Sequence, residues 1–309
     1  MQFGIYYYPW YCEQRWREFA RHETPALGEY DSTDPVVVAT HMKHIASLGF
    51  DYVAFEIVPP GDWCFPVMMR SIELAIVQLQ ALRLRWTFLI DGNTDPAVGM
   101  GFQRHRATLD ELEARAWTND MATGADSKPL LLFYAPIPDV VRAIREHYGA
   151  KYDCRFPIWM PHWGDPKDTA TWSNVFQPQV DEARARGTTL AKSLEPLGYS
   201  PFWEDALEVQ NIGGHAGVTR GYNDMLLRRD PQLAPVLPDG DGKTLESQMA
   251  SAVSQDPEHV LVYSWNEYFE HSTIEPTKEH GTHYADLTRR LIAQARTHSP
   301  LPAKSMEER

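Results

Sequence analysis

Cysteine is scarce in this sequence, and the few cysteines form no recognisable pattern. Among 309 residues there are only Cys12, Cys64 and Cys154, and none belongs to a Cys-x-x-Cys pair or a Cys/His cluster. Structural zinc sites need such spacing, and a disulfide framework generally uses an even number of cysteines. The sequence therefore predicts reduced thiols, no disulfide and no metal site.

Long apolar stretches are missing as well. No run of 18 apolar residues occurs, and the N-terminus passes directly into a strand-like stretch at residues 3–8, without the basic and apolar regions of a signal peptide. A membrane-spanning helix needs about 20 apolar residues, and a secretory leader needs both of those regions. The sequence therefore predicts neither feature, and a cytoplasmic location is expected.

Basic residues are outnumbered by acidic ones. The chain has 29 Lys and Arg against 42 Asp and Glu, which gives a formal net charge of −13. Such a charge argues against nucleic acid or an anionic membrane as the partner. Aromatic residues, in contrast, make up 12% of the chain, with 10 Trp and 14 Tyr. Most of these rings are expected in the core, but aromatic faces also stack on sugar rings, so an oligosaccharide or polysaccharide substrate fits this composition.

No glycine-rich phosphate-binding loop is found. The sequence contains neither G-x-G-x-x-G nor a Walker A motif, and the first predicted strand continues into Tyr8-Pro9-Trp10-Tyr11. Residues 213–217 are rich in glycine but lack the lysine of a P-loop. A doubly wound nucleotide-binding sheet normally carries such a turn after its first strand. Its absence favours a different α/β fold and predicts no cofactor.

Strand-like and helix-like segments alternate along the whole chain. A helix should begin at Asp34-Pro35, an N-cap followed by an N1 proline, and end at Gly49. The pattern predicts α/β architecture, a single (β/α)8 TIM barrel over residues 1–300, with a disordered tail at 301–309. The predicted strands are 3–8, 51–57, 85–90, 129–134, 155–160, 198–203, 207–212 and 260–265. The other predicted helices are 69–82, 108–116, 139–147, 177–186, 244–253 and 284–295.

Residues that directly follow the strands are the candidate substrate-binding groups, because barrel active sites lie at the C-terminal ends of the strands. Carboxylates and aromatic rings with few cations suit a neutral polyol, which needs hydrogen-bond acceptors and flat apolar platforms. For the histidines of this set, substrate contact and plain packing are equally expected. The candidates are Tyr8, Trp10, Glu56, Asp91, Tyr134, His162, Trp163, His215, Asn266 and Tyr268.

The densest group of acids follows the last predicted strand. Glu267, Glu270 and Glu275 fall within nine residues of one another. Glycoside hydrolysis generally uses two carboxyl groups, about 5 to 9.5 Å apart, one of which acts as an acid. We therefore predict that Glu267 and Glu270 are catalytic. The alternative is that one of them only caps a turn or pairs with an arginine, and for Glu275 a structural role is expected.

The segment 264–276, Ser-Trp-Asn-Glu-Tyr-Phe-Glu-His-Ser-Thr-Ile-Glu-Pro, resembles the Asn-Glu-Trp-x-Glu-Gly…Ile-Glu-Pro signature of glycoside hydrolase family 99 and of the related WbsX-like domains. Segments 6–11, 28–32 and 221–224 resemble other elements of that family in the same order. The family carries Trp, His and Gly where this chain has Tyr268, Phe269 and His271.

This resemblance implies a TIM barrel that acts on α-linked glycans such as α-mannosides, with net retention. The position of Glu267 would be the base that deprotonates the sugar 2-hydroxyl, and the position of Glu270 would be the general acid and then base. The three differing residues leave the sugar open. Two other functions also stay open: a WbsX-like glycosyltransferase or polysaccharide-assembly protein, and a non-catalytic sugar-binding barrel. The first would need a nucleotide-sugar site, and the sequence has no glycine-rich phosphate-binding loop.

Overall fold

Eight parallel strands curl into one barrel. The computed structural model describes residues 1–92, 101–134, 138–160, 181, 185–187, 193–204, 206–227 and 236–298. The barrel strands are β1 (Gln2–Tyr7), β2 (Tyr52–Ile57), β3 (Arg85–Ile90), β4 (Leu130–Phe133), β5 (Asp153–Met160), β6 (Tyr199–Glu204), β7 (His215–Thr219) and, last in the chain, β10 (His259–Tyr263). Their order in the sheet is β6-β5-β4-β3-β2-β1-β10-β7. A short antiparallel hairpin, β8 (Tyr222–Asn223) with β9 (Val236–Leu237), stands apart from the barrel sheet.

The barrel nearly closes where β6 meets β7. These two strands are the ends of the sheet order. A Cβ atom on Gly217 of β7 would lie 2.4 Å from the carbonyl oxygen of Phe202 on β6. Only glycine permits so close an approach of two backbones. The predicted (β/α)8 fold is confirmed, and this contact is its seam.

Seven described helices accompany the strands. They are α1 (Glu13–Glu18), α2 (Pro35–Leu48), α3 (Phe65–Leu82), α4 (Phe102–Ala114), α5 (Pro138–Tyr148), α6 (Lys243–Ser254) and α7 (His283–His298). The predicted ends of α2 are confirmed, because the Asp34 carboxylate accepts a hydrogen bond from Val36 N at 2.8 Å and Gly49 ends the helix with a φ of 93°.

Helix α3 is the one described helix that is long and apolar enough to cross a membrane. It has 18 residues with a mean hydropathy of 1.2. Its buried stripe, which includes Met69, Ile72, Ala75 and Leu79, packs into the same core as the strands. A core helix of a barrel needs such a stripe, so its composition is weak support for a membrane span.

Alternating residues divide the core into two layers. Side chains such as Ile5 and Val53 face the helices, whereas Tyr6, Phe202 and Tyr263 fill the barrel interior. The rings of Tyr6 and Phe202 meet with their centroids 4.7 Å apart, and those of Phe202 and Tyr263 with theirs 4.6 Å apart. The lumen is therefore a packed core and not a channel, and a ligand can enter only from an end.

The N-terminal end of the barrel, which we call the floor, is formed by buried polar rings. His215 stacks on His259 with a centroid distance of 4.7 Å, and the Tyr52 hydroxyl lies 3.1 Å from His259 Nδ1. The prediction that His215 lies near the substrate is wrong for this reason. The strand that contains it begins at His215, so the side chain lies at the end of the barrel opposite to the active-site end.

Two predicted elements need correction. The seventh strand is not residues 207–212, which form a loop whose Val209 backbone is bonded to Ser251 and Gln255 on and just after α6. Helix α4 begins at Phe102 and not near Thr108, whose hydroxyl is buried in the helix and donates to the Arg104 carbonyl oxygen. Most of the predicted helix 177–186 and the predicted tail 301–309 lie outside the described residues.

Candidate active site

The exit of the last strand carries both predicted catalytic glutamates. Glu267 opens a short 3₁₀ turn, Tyr268–Glu270, and its Oε1 accepts a hydrogen bond from Phe269 N at 3.1 Å. The Glu267 N–H donates to Ser264 Oγ at 2.8 Å. The capping role that the sequence left open is therefore real for Glu267. The hydrogen bond from Phe269 N holds the Glu267 carboxylate at the C-terminal end of the barrel, which we call the mouth. The capping role is therefore compatible with a catalytic role.

Asn266 ties the last strand to the first. Its Oδ1 accepts from Tyr8 N at 2.8 Å, and its Nδ2 donates to the Tyr8 carbonyl oxygen at 2.9 Å and to the Tyr30 hydroxyl at 3.2 Å. The Tyr11 hydroxyl donates to the Asn266 carbonyl oxygen at 2.6 Å. The Asn266 side chain is fully buried, and its amide is hydrogen-bonded to these protein groups. Asn266 therefore links the strands beneath the site, and the predicted contact with a substrate is wrong.

Tyr268 also lies behind the catalytic turn. Its side chain is 1% exposed, and its ring packs against Tyr11 and Trp16 with centroid distances of 5.9 and 5.6 Å. Burial, followed by the nearby charge of Glu275, raises the pKa of Tyr268 well above its usual range. The predicted substrate contact is therefore replaced by a packing role.

Four carboxyl groups converge at the mouth. Glu56 is the last residue but one of β2, Asp91 follows β3, and the charges of Asp91, Glu267 and Glu270 all act on Glu56. Burial, reinforced by the charges of Asp91, Glu267 and Glu270, raises the pKa of Glu56 well above its usual range. Its Oε2 is buried without a hydrogen-bond partner in the described part of the chain. Glu56 and Asp91 thus lie at the mouth, and their contact with a substrate stays a prediction.

The two proposed catalytic glutamates have different surroundings. Glu267 is 3% exposed, and burial, followed by the charge of Glu270, holds its pKa well above the usual range, while Arg15 opposes this shift. Glu270 is half-buried and accepts a hydrogen bond from the Tyr263 hydroxyl. Neighbouring acids of this kind resist ionising together, so one tends to keep a proton that it can donate.

Aromatic side chains frame these acids. The rings of Tyr8 and Trp10 lie 4.8 Å apart between centroids, and the half-buried Tyr134 ring lies 5.1 Å from Phe202. Burial, followed by the charges of Glu56, Glu267 and Glu270, raises the pKa of Tyr8 well above its usual range. Tyr8, Trp10 and Tyr134 thus lie at the mouth as predicted, whereas His162 and Trp163 lie outside the described residues.

Sequence reasoning missed two tyrosines of the site. Tyr263, the last residue of β10, donates to Glu270, and Tyr222 on β8 has a pKa raised well above its usual range, first by burial and then by Glu270. The ring of Trp203 stacks on Tyr222 at a centroid distance of 4.1 Å. The rule of collecting strand-end residues could have found Tyr263. Tyr222 lies in the segment 221–224 that resembles an element of the family, but neither its hairpin nor a site role was predicted from that segment.

One cluster in the described part of the chain has the donor set of a metal site. Atoms of Glu23, His271 and His280 lie within 4.8 Å of one another. Fully buried Arg220, however, pairs with the same Glu23 oxygen and stacks on Tyr284 at 4.1 Å. Burial would raise the pKa of Glu23, but the hydrogen bond from His271 and the charge of Arg220 outweigh it and lower that pKa. Because a guanidinium already neutralises the carboxylate, this cluster is better described as an ion-pair hub.

Comparison with known proteins gives matches among solved structures. No protein-family model and no functionally curated protein matches the chain. The GH99 endo-alpha-mannosidase from Bacteroides thetaiotaomicron in complex with BIS-TRIS-propane is 16% identical, with 96% of this chain and 99% of that chain covered and a TM-score of 0.65. A second structure of a GH99 endo-alpha-mannosidase from that organism is 15% identical, with 96% and 98% covered and a TM-score of 0.64.

A structure described as a glycoside hydrolase-like protein is 14% identical, with 94% of this chain and 93% of that chain covered and a TM-score of 0.59. At sequence identities of 14–16%, the structural similarity to these three structures shows a shared fold. The chain therefore has, over nearly its whole length, the barrel architecture of these proteins, which is the fold that the resemblance at residues 264–276 implies.

Proposed function

We propose that the protein is a glycoside hydrolase that cleaves an α-linked glycan with retention of configuration. The observation that carries this proposal is the pair of glutamates, Glu267 and Glu270, on one short turn at the mouth of the barrel, with Glu56 and Asp91 beside them. Strand-end carboxylates of this fold are the usual position of catalytic acids, and glycosidases use two of them. The solved structures of similar fold include two that are described as endo-alpha-mannosidase, which supports the same reaction class.

The two glutamates take different roles in the proposed reaction. Glu267 accepts the proton of the sugar 2-hydroxyl, the freed oxygen forms a bond to C1, and Glu270 protonates the leaving glycosidic oxygen as its bond to C1 breaks. Water then attacks C1 of this 1,2-anhydro sugar, giving its proton to Glu270, while Glu267 returns a proton to O2. Two displacements at C1 restore the original configuration, and both carboxyl groups end in their starting protonation states.

The surroundings of each glutamate support its role. A base works best when its pKa lies near the working pH, and burial raises the pKa of Glu267 from below that range. The backbone bonds from Phe269 N to its Oε1 and from its own N–H to Ser264 Oγ hold it in place. Glu270 is half-buried and held by the Tyr263 hydroxyl, so it can meet both a leaving group and an incoming water.

The charges at the mouth disfavour the glycosyltransferase alternative. A nucleotide sugar would bring a diphosphate next to four carboxyl groups. The charge of Arg15 lowers the pKa values of Glu56 and Glu267 and so partly offsets the effect of burial. Arg15 is itself paired with Glu18, at an N–O distance of 2.6 Å. An acid-lined mouth repels such an anion but accepts the hydroxyls of a neutral glycan.

A panel of α-linked oligosaccharides tests the proposal. The protein is incubated with gluco-, manno- and galacto-configured substrates of each linkage, and the anomer first released is recorded by proton NMR. The proposal expects the retained anomer from at least one substrate. An inverted product would overturn the mechanism, and tight binding measured by calorimetry without any turnover would favour the sugar-binding barrel.

A further inference from the structure

The third glutamate of the acid-rich segment, Glu275, lies outside the mouth. Its side chain is only 4% exposed, and both carboxylate oxygens have partners. Oε2 accepts a hydrogen bond from the Tyr30 hydroxyl at 2.9 Å, and Oε1 lies 3.0 Å from His41 Nε2 on α2. This carboxylate is therefore committed to buried protein groups and cannot serve as a third acid for the substrate.

These contacts continue in both directions from Glu275. On one side the Tyr30 hydroxyl accepts from Asn266 Nδ2 at 3.2 Å, and Asn266 clasps the backbone of Tyr8. On the other side His41 Nδ1 lies 3.0 Å from the Tyr7 hydroxyl. All of these side chains are buried. In the low dielectric of the protein interior, the hydrogen bonds of such a network polarise one another. Removing one member therefore changes the strength of its neighbours' hydrogen bonds.

The same network reaches the turn between the two catalytic glutamates. Tyr268 is the residue that follows Glu267, and Glu275 is the charge that contributes most, after burial, to its raised pKa. The backbone of Glu275 also returns to the catalytic segment, since its N–H donates to the Trp265 carbonyl oxygen at 2.9 Å. Glu275 therefore contacts the segment of Glu267 directly through its backbone N–H, and indirectly through the Tyr30 hydroxyl and Asn266.

We propose that Glu275 is a positioning residue, which fixes the turn carrying Glu267 and Glu270 through Tyr30 and Asn266. This inference rests on the proposed hydrolase function. Its physical basis is that a base and an acid on one turn must both meet the substrate within hydrogen-bond reach, and a displacement of about 1 Å can cost about 100-fold in rate. A merely structural Glu275 would contribute to stability and leave the rate unaffected.

A matched pair of tyrosine variants separates the two roles. Tyr30→Phe removes the hydroxyl between Glu275 and Asn266, while Tyr52→Phe removes a hydroxyl of equal burial that contacts His259 at the floor. Both are assayed, with Glu275→Gln, on the best substrate of the panel, well below the thermal midpoint of each variant. Tyr30→Phe and Glu275→Gln should lower kcat by about 10- to 100-fold with KM within about threefold, and Tyr52→Phe should leave kcat within about twofold.

A second measurement does not need turnover. Carbon-13 NMR titration of the Glu267 and Glu270 carboxyl groups should show midpoints displaced in Tyr30→Phe and Glu275→Gln but unmoved in Tyr52→Phe. If the unmodified protein cleaves nothing, the proposed hydrolase function fails, and the titration still decides whether Glu275 positions the turn. Unchanged kcat together with unmoved titration midpoints would overturn the inference.

Discussion

Burial shifts pKa values in opposite directions at the two ends of this barrel. At the mouth, burial raises the pKa values of Glu56 and Glu267, and neighbouring carboxyl groups raise them further. At the floor, burial lowers the pKa of His259 to about 4 and that of His215 well below its usual value. In both places the low-dielectric surroundings disfavour the charged form.

The difference lies in what surrounds each group. The mouth acids adjoin half-buried Glu270 and Asp91, so protons can be exchanged with a ligand or with water. The floor histidines are sealed, with His215 stacked on His259 and both nitrogens of His215 without a partner in the described part of the chain. A perturbed pKa therefore marks a functional site only where the group can also reach a substrate.

Removing the mouth carboxyls should give the largest effect. Glu267→Gln and Glu270→Gln keep the shape of each side chain but cannot exchange a proton, so kcat should fall by about 10²- to 10⁴-fold on the best α-linked substrate. The corresponding floor variant, His215→Asn, should leave kcat within about threefold. Full activity in either glutamine variant would contradict the assignment of the site.

Acid should destabilise the fold through two buried histidines, His259 at the floor and His105 on α4. Burial depresses the pKa values of His259 and His105 to about 4. In the unfolded chain the value is about 6.5, so the stabilisation is complete above that pH and is lost as the pH falls toward 4. Between pH 7 and pH 5 each histidine should cost about 2 kcal/mol of the free energy of unfolding, measured by urea denaturation.

His105→Leu tests this account on one residue. Both ring nitrogens of His105 are buried without a partner among the described residues, so an apolar side chain can replace the ring. The loss of stability between pH 7 and pH 5 should shrink by about 2 kcal/mol in the variant. An unchanged loss would assign the acid sensitivity to other groups.

Packing at the floor should give the next effect. A Cβ atom on Gly4 would lie 2.3 Å from Tyr52 Cζ, so Gly4→Ala must displace that buried ring from His259. We expect a loss of about 1–3 kcal/mol in urea unfolding with KM unchanged. Gly101→Ala is the control, because its Cβ would meet nothing within 4 Å and its φ is −76°. Equal losses in the two variants would contradict this interpretation.

Glu56→Gln should give the smallest effect, and it should raise stability where Gly4→Ala lowers it. Glu56 has a raised folded-state pKa, so its contribution to stability is full at low pH and is lost as the pH rises through the folded value. Glu56→Gln should therefore raise the thermal midpoint by a few degrees at pH 8, since about 1 kcal/mol corresponds to roughly 2–4 °C, and change it little at pH 4. A lower midpoint at pH 8 would show that the charged form is stabilised in the fold.

Much of the barrel could be predicted because its strands are short apolar runs and its helices carry local end signals. Asp34 and Gly49 mark both ends of α2, and β3 has its predicted bounds of 85–90. Strand β7 could not be found in this way. Its sequence, His-Ala-Gly-Val-Thr, is small and polar because the strand packs closely at the seam, whereas the loop at 207–212 contains more large apolar residues.

The site could be predicted only in part, for a related reason. Glu56 lies near the end of β2, Asp91 directly follows β3, and Glu267 and Glu270 come shortly after β10, so their positions are visible in a sequence. The partners of a buried charge are not visible. Glu275 and His41 are 234 residues apart, and Arg220 and Glu23 are 197 apart, so no local pattern connects them. Contacts of this kind come from the closed barrel and not from any one segment.

The hydrogen bonds between Asn266 and the backbone of Tyr8 have a consequence for folding during synthesis. The two residues are 258 positions apart, and β1 lies between β2 and β10 in the closed sheet. While the ribosome is still adding residues ahead of β10, one edge of β1 has no neighbouring strand and the segment that bears Glu267 does not yet exist. A nascent chain therefore cannot acquire activity by degrees, because its first and last strands complete the barrel and the site in the same event.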